Sequence, residues 1–173
     1  MMLRADRFFN LRSQMVEGEE AAARVALLQE SRVFGCAPDN DLVVRATMFE
    51  RRVYAPGDEI CRAGEAAGEA YLISSGEALV YPPGEAVAVA VCRRGDVIGE
   101  YGLFIGNIRT ATVLATEPTN LLSIDYFRLR QFLLSFPESM FALMQVTVQR
   151  MYSPTNVSGS APDTGDKTIR LIR

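Results

Sequence analysis

Turn signals at short, regular intervals between Phe49 and Asp125 constrain the fold of this 173-residue chain more than any other feature. Glycine and proline clusters occur at residues 56–58, 64–65, 75–76, 82–84 and 95–96. Short segments rich in β-branched or aromatic residues lie between them, at 52–54, 59–61, 70–74, 78–81, 86–91, 97–98, 112–115 and 120–124. Strands separated by turns about every 8–12 residues are typical of a closed all-β sandwich or roll. No sequence repeat accompanies the spacing, so we predict neither a propeller nor a solenoid.

Helical periodicity flanks this β region on both sides. Apolar residues recur among charged ones over residues 19–47, and the helical period returns over residues 126–151, where Pro137 suits a first helical turn. We therefore predict a mainly β domain with flanking α-helices. The predicted division is an N-terminal extension (1–18), a domain (19–151, with helices 19–47, a β-roll 49–125 and helices 126–151) and a flexible tail (152–173).

Composition narrows the classes of function. The net charge of -3 gives no general attraction to nucleic acid or to an anionic membrane. The segment Met1–Arg7 carries both charge signs and no apolar stretch, and no apolar run is long enough to span a membrane. The three cysteines are widely spaced, which indicates that they are small buried residues of a protein in a reducing compartment. We expect a cytoplasmic protein without direct membrane contact.

The complete absence of histidine argues against an enzyme. Histidine is the commonest general base, a usual ligand of zinc and haem, and the partner of nucleophilic serine and cysteine. We therefore expect no catalytic residues, no metal site and no cofactor.

The segment Gly99–Thr112, with the sequence GEYGLFIGNIRTAT, carries the most informative functional pattern. A planar guanidinium, here that of Arg109, can meet two phosphate oxygens at once. Glu100 can accept a hydrogen bond from a sugar hydroxyl. Glycines allow close backbone approach, and the free amides of a short turn can face an anion. The pattern suits a ligand with one phosphate and one vicinal hydroxyl.

This segment resembles the phosphate-binding cassette of cyclic nucleotide-binding domains, which occur in catabolite-activator-type regulators, kinase regulatory subunits and cyclic-nucleotide-gated channels. Residues 54–65 and 70–76 are similar to the first hairpins of that family, and residues 129–138 to its hinge and last helix. The resemblance implies a jelly-roll-like double-stranded β-helix with N-terminal and C-terminal helices. It also implies cAMP or cGMP as the ligand.

The resemblance assigns roles to individual residues. Arg109 would take the cyclic phosphate, Glu100 the ribose 2′-hydroxyl, with the charge of Glu100 partly balanced by Arg109. Amides around Gly102 and Leu103 would face the phosphate, Thr110 would add a hydroxyl, and Ala111 would leave room for the purine. The predicted ligand-binding residues are Gly99, Glu100, Tyr101, Gly102, Leu103, Arg109, Thr110 and Ala111.

The segment departs from the family pattern at several positions. Tyr101 is bulkier than the usual aliphatic residue, Gly102 stands for alanine, and Ile108 stands where proline is frequent. An arginine associated with selectivity for guanine in some relatives is missing from residues 86–91. The resemblance therefore favours cAMP over cGMP, although Thr110 is compatible with both.

A ligand sensor is the predicted function. The terminal helices would relay nucleotide occupancy to an effector protein or a fused effector domain. Residues 152–173 contain Pro154, Gly159, Pro162 and Gly165 and fit no recognition helix, so we expect no nucleic-acid partner. The Met- and Phe-rich face of residues 138–151 has three alternative uses: core packing, covering the purine, or pairing with a second subunit. A structural interaction module that has lost its ligand is the alternative function.

Overall fold

The computed structural model of the chain describes residues 3–152, with side chains for residue 15 and from residue 17 onwards. The predicted tail (152–173) lies outside the described residues except for Tyr152, which ends the last helix. Five α-helices are present in this range: α1 (Leu3–Glu30), α2 (Asp39–Arg45), α3 (Tyr101–Phe104), α4 (Tyr126–Ser135) and α5 (Pro137–Tyr152). Short 3-10 helices follow α1 and α2, at Phe34–Cys36 and Ala46–Met48. None of the described helices is both long and apolar enough to cross a membrane.

Eight strands form two antiparallel four-stranded sheets between the helical segments. The strands are β1 (Glu50–Tyr54), β2 (Glu59–Cys61), β3 (Glu69–Ser75), β4 (Ala78–Tyr81), β5 (Ala90–Cys92), β6 (Val97–Ile98), β7 (Thr112–Ala115) and β8 (Thr119–Asp125). One sheet has the order β1-β8-β3-β6 and the other β2-β7-β4-β5. The chain changes sheet repeatedly, so the predicted β-roll with flanking helices is confirmed.

Two elements differ from the sequence prediction. The first helix begins at Leu3 and ends at Glu30, whereas the apolar periodicity indicated a start near residue 19. Residues 3–17 are rich in residues of high helix propensity, and this propensity extends the helix even where an apolar stripe is missing. The predicted boundary at residue 18 therefore falls inside α1, and the division into extension and domain stays a prediction.

The strand predicted over residues 86–91 is shorter and later than expected, because β5 spans Ala90–Cys92. Pro82 and Pro83 have no backbone N–H to donate to a ladder. The chain leaves β4 in a turn closed by the Glu85 amide on the Pro82 carbonyl. It rejoins β4 only where the Val89 amide donates to the Val80 carbonyl at 2.8 Å.

Two separate apolar clusters form the core. The larger packs the helices onto the first sheet and includes Phe34, Phe49, Leu129 and Phe132. The smaller lies between the two sheets, and its members include Ile73, Ile98, Val113 and Leu121. The second cluster borders the cavity described below, whereas the first supports the helices that surround that cavity.

Candidate functional site

A cavity of about 170 Å³ lies between the second sheet, the segment Gly99–Thr112 and the C-terminal end of α5. Strands and the turn after β4 supply mostly apolar lining residues: Cys61, Val80, Pro82, Val89, Ala90 and Val113. The segment itself contributes Gly99, Glu100, Tyr101, Gly102, Arg109, Thr110 and Ala111. Seven of the eight predicted ligand-binding residues thus line one cavity. The charged residues of the cavity lining are Glu100, Arg109 and Arg150.

Backbone hydrogen bonds fix Arg109 at the edge of the cavity. Its amide donates to the Glu65 carbonyl at 2.9 Å, and its carbonyl accepts from the Gly64 amide at 2.8 Å. The Ala67 amide donates to the Asn107 carbonyl at 2.7 Å, which extends this pairing by one more step. The loop after β2 and the segment before β7 therefore hold each other in register. This pairing places Arg109 independently of its side chain.

The Arg109 guanidinium is buried without a carboxylate partner. The residue is only 7% exposed. Its Nη1 donates to the carbonyls of Glu69 (2.7 Å) and Gly99 (3.3 Å), and its Nη2 to the Tyr71 hydroxyl (3.3 Å). Among the side chains that the structure describes, no carboxylate oxygen lies within 4.0 Å of it. Neutral groups orient this cation, and burying an uncompensated charge is unfavourable, so the arrangement suits an anionic ligand.

Close approaches explain two of the three glycines of the segment, Gly99 and Gly102. Gly99 has φ +77° in the left-handed region, and a Cβ there would lie 2.4 Å from Arg109 Nη1. At Gly102, a Cβ would lie 2.4 Å from the Tyr126 hydroxyl oxygen and 2.8 Å from Ala67 Cβ. The two glycines therefore leave room for an arginine and a tyrosine that belong to different elements.

Glu100 is a buried carboxylate that α5 partners. The residue is 1% exposed, and its Oε1 accepts a hydrogen bond from Arg150 Nη1 at 2.9 Å. Arg150 also donates to the Val97 carbonyl and lies 3.7 Å from Asp96 Oδ1. Burial raises the pKa of Glu100, and the positive charge of Arg150 opposes that rise. The ion pair thus keeps an acceptor in the cavity while docking the end of α5 onto it.

The expectation that Arg109 balances Glu100 is wrong in this structure, because the cation within 4.0 Å of Glu100 is Arg150. Sequence reasoning missed Arg150. A basic residue in the last turn of a helix is common, since it interacts favourably with the helix dipole. Nothing local distinguishes Arg150 from such a residue, and only the docking of α5 shows its role.

Leu103 does not line the cavity. Its side chain packs against the larger apolar cluster, and its amide donates to the Glu100 carbonyl at 3.0 Å to close the turn of α3. The expectation of a Leu103 amide free for phosphate is therefore not met. Tyr101, in contrast, lines the cavity and donates its hydroxyl to the Thr147 carbonyl of α5 at 2.9 Å.

The Met- and Phe-rich face of α5 is divided between core and solvent. Leu143 is buried and Met140 packs against the larger cluster, as the core-packing alternative expects. Phe141, Met144 and Val148 are exposed. Arg150 is the residue of α5 that lines the cavity. Covering of the purine by this apolar face therefore finds no support, and pairing with a second subunit stays a prediction.

The fold and the cavity define a β-roll domain whose internal cavity is lined by a buried arginine and a buried glutamate. Within the described residues, no cluster of three or more cysteines, aspartates or glutamates is arranged to hold a metal ion. Residues 51–136 match the family of the cyclic nucleotide-binding domain. The chain belongs to this family, and its homologues are regulatory or sensor domains.

Individual relatives agree with this assignment. The chain is 39% identical over 110 residues to the cyclic nucleotide-gated channel beta-3 of Mus musculus, covering 61% of this chain but only 15% of the channel subunit. The Thermus thermophilus catabolite activator protein shares the fold with a TM-score of 0.63 and 23% identity, over 70% of this chain and 59% of that one. The cAMP-bound regulatory domain of Toxoplasma gondii PKA has a TM-score of 0.67 and 16% identity, over 76% and 51%.

Proposed function

We propose that this domain binds a 3′,5′-cyclic nucleotide, with cAMP favoured over cGMP, and relays its occupancy through α5 to a partner or a fused effector. Arg109 takes the cyclic phosphate and Glu100 accepts a hydrogen bond from the ribose 2′-hydroxyl. Thr110 and the backbone around Gly99 and Gly102 complete the polar side of the site. The nucleotide is bound and released unchanged.

The buried, carboxylate-free guanidinium of Arg109 is the observation that carries this proposal. Its contacts with two carbonyls and a phenol orient it without neutralising its charge. A phosphodiester supplies one negative charge spread over two oxygens, and a guanidinium can meet both. Glu100 in the same cavity supplies the acceptor for a neighbouring hydroxyl.

The apolar residues of the cavity lining support a purine and favour adenine. They include Val80, Val89, Ala90 and Val113. Such a surface can cover the faces of a base, and it offers no side-chain polar group to the amino and carbonyl groups that distinguish guanine. Glu100 is the acidic residue of the lining, and its carboxylate already pairs with Arg150.

The shared carboxylate of Glu100 supports a relay through α5. A ribose hydroxyl that donates to Glu100 binds the same carboxylate that Arg150 binds. The Tyr101 hydroxyl adds a second bond from the ligand-binding segment to α5, at Thr147. A ligand shifts a conformational equilibrium only by its differential affinity for the two states. These two bonds supply such a difference between docked and undocked α5.

Calorimetric titration with cAMP and with cGMP tests the binding proposal. The unmodified chain should bind both, and cAMP more tightly. Arg109→Ala should weaken cAMP binding at least about a hundredfold, since two charge-assisted hydrogen bonds of about 1.5–3 kcal/mol each are lost. Arg93→Ala is the matched control, because Arg93 is exposed and pairs with Glu77 at 2.7 Å. That variant should bind as the unmodified chain does.

Thermal unfolding with and without nucleotide separates the sensor from a module that only contacts proteins. No heat of binding in the titration and no shift in melting temperature with either nucleotide would favour the structural interaction module. Normal binding by Arg109→Ala would instead show that the ligand occupies another place.

A further inference from the structure

We propose that Tyr126 is a positioning residue that joins the phosphate-binding segment to the beginning of α4. This inference rests on the proposed nucleotide site, and it gives α4 a direct link to that site beside the link through α5. Tyr126 is the first residue of α4 and lies 8% exposed within the larger apolar cluster.

One carbonyl connects Tyr126 to the proposed phosphate arginine. The Tyr126 hydroxyl donates to the Gly99 carbonyl, which also accepts from Arg109 Nη1 at 3.3 Å. The Tyr126 amide donates to the Gly68 carbonyl at 2.9 Å, next to Glu69, whose carbonyl is the other backbone acceptor of Arg109 Nη1. Both ends of Tyr126 are therefore bonded to the backbone that orients the guanidinium.

The space at Gly102 shows that the hydroxyl is built into the segment. A Cβ at this position would lie 2.4 Å from the Tyr126 hydroxyl oxygen, far inside normal contact. Gly102 has no positive φ, so its backbone conformation does not require glycine. The ring of Tyr126 is held in the core and cannot swing the hydroxyl away without breaking its bond to Gly99. Glycine at 102 thus makes room for this hydroxyl.

The hydroxyl remains a donor under physiological conditions. Burial raises the pKa of Tyr126 to about 12, so the phenol keeps its proton at neutral pH. A tyrosine side chain has only two main torsions, and a packed ring transmits a displacement with little slack. When a phosphate engages Arg109 and the Gly99 carbonyl adjusts, the first turn of α4 has to follow.

A double-mutant cycle tests the contact without any nucleotide. Gly102→Ala should lower the melting temperature, because the new methyl group meets the hydroxyl. In the Tyr126→Phe background the same substitution should cost less, so the effects on the unfolding equilibrium should be coupled by about threefold or more. The rescue should be incomplete, since Ala67 Cβ stays 2.8 Å from the new methyl group. Additive effects would overturn the proposal.

Hydrogen exchange with and without cAMP tests the positioning role. In the unmodified chain, nucleotide should slow amide exchange both in residues 99–103 and in α4. In Tyr126→Phe, cAMP should bind roughly threefold to tenfold more weakly, the factor of one ordinary hydrogen bond. Exchange in α4 should then no longer respond at saturating nucleotide, whereas residues 99–103 still should. An unchanged response of α4 would contradict the proposal.

Tyr81→Phe is the matched control, because no hydrogen bond of the Tyr81 hydroxyl occurs among the described residues. It should leave both exchange responses unchanged. If the unmodified chain binds neither nucleotide, the proposed function fails, and the double-mutant cycle still decides whether Tyr126 is fitted to Gly102.

Discussion

Two buried residues of opposite charge lie nine positions apart in the segment Gly99–Thr112 and do not pair with each other. Arg109 is held by neutral oxygens, and Glu100 is held by Arg150. A direct Arg109–Glu100 pair would satisfy both charges and reduce their availability to a ligand. Separate partners leave the guanidinium for an anion and the carboxylate for a hydroxyl. This arrangement is the residue-scale basis of the proposed specificity.

The pH dependence of stability should reveal the Glu100–Arg150 pair. Burial raises the pKa of Glu100 above its ordinary value of 4.5, so the folded state keeps a proton that the unfolded state has released. The free energy of unfolding from this group therefore falls as pH rises from 4.5 through the raised pKa. Arg150→Ala removes the opposing charge, and the fall should become steeper and extend to higher pH.

Urea denaturation between pH 4.5 and 7.5 measures this effect, with Arg150→Ala/Glu100→Gln as the control that lacks the titrating group. The control should lose the additional pH dependence. Parallel curves for Arg150→Ala and the unmodified chain would show that Arg150 does not set the ionisation of Glu100.

At the scale of elements, two consecutive helices contact the site, α4 at its first residue and α5 in its C-terminal half. α4 reaches it through Tyr126 and α5 through Thr147 and Arg150. The site is consequently built from the β-roll and from the helices that would carry its output. Hydrogen bonds therefore connect the proposed ligand site to both helices.

Removing the Arg150 contact should uncouple α5 from the ligand. In the unmodified chain, saturating cAMP should change amide exchange along α5. Arg150→Ala should reduce this change strongly and leave the response of residues 99–103 in place, because Arg109 is unaltered. Gln149→Ala is the neighbouring control, exposed on the same helix, and should behave as the unmodified chain does. An equal response of α5 in Arg150→Ala would contradict the proposed relay.

Prediction from sequence succeeded for elements with strong local signals. Turns containing glycine or proline delimited most strands to within one or two residues, because those residues restrict the backbone wherever they occur. β5 was predicted too early, since its β-branched residues suit a strand but Pro82 and Pro83 delay the pairing. The start of α1 was predicted too late, since its first half has helix propensity without apolar periodicity.

At the scale of the whole molecule, the aromatic centre of the larger apolar cluster lies apart from the residues that line the cavity. The aromatic rings of Phe34, Phe49 and Phe132 meet edge to face, with centroids 5.1 and 5.2 Å from Phe34. These rings pack the N-terminal helices against α4 and the first sheet. The cavity borders the other cluster, between the sheets.

Phe34→Ala should therefore destabilise the fold without changing the site. Removing this 1%-exposed ring should cost about 3–5 kcal/mol of unfolding free energy, measured by urea denaturation. Affinity for cAMP, measured well below the melting temperature, should stay within about twofold. Phe127→Ala is the control, because Phe127 is 71% exposed and its loss should cost less than about 0.5 kcal/mol. A large loss of affinity in Phe34→Ala would show that the clusters are not independent.

The sequence by itself determined the class of fold, the segment proposed to bind the ligand and seven of the residues that line the cavity. These depend on local chemistry: turn residues, strand patterning, and a glycine-bounded turn with Glu100 and Arg109 at a set spacing. Only the tertiary structure decided which partner each charge has. Arg150, Tyr71 and Tyr126 reach the site from elements distant in sequence, and pairing between distant elements depends on how the helices and sheets pack together.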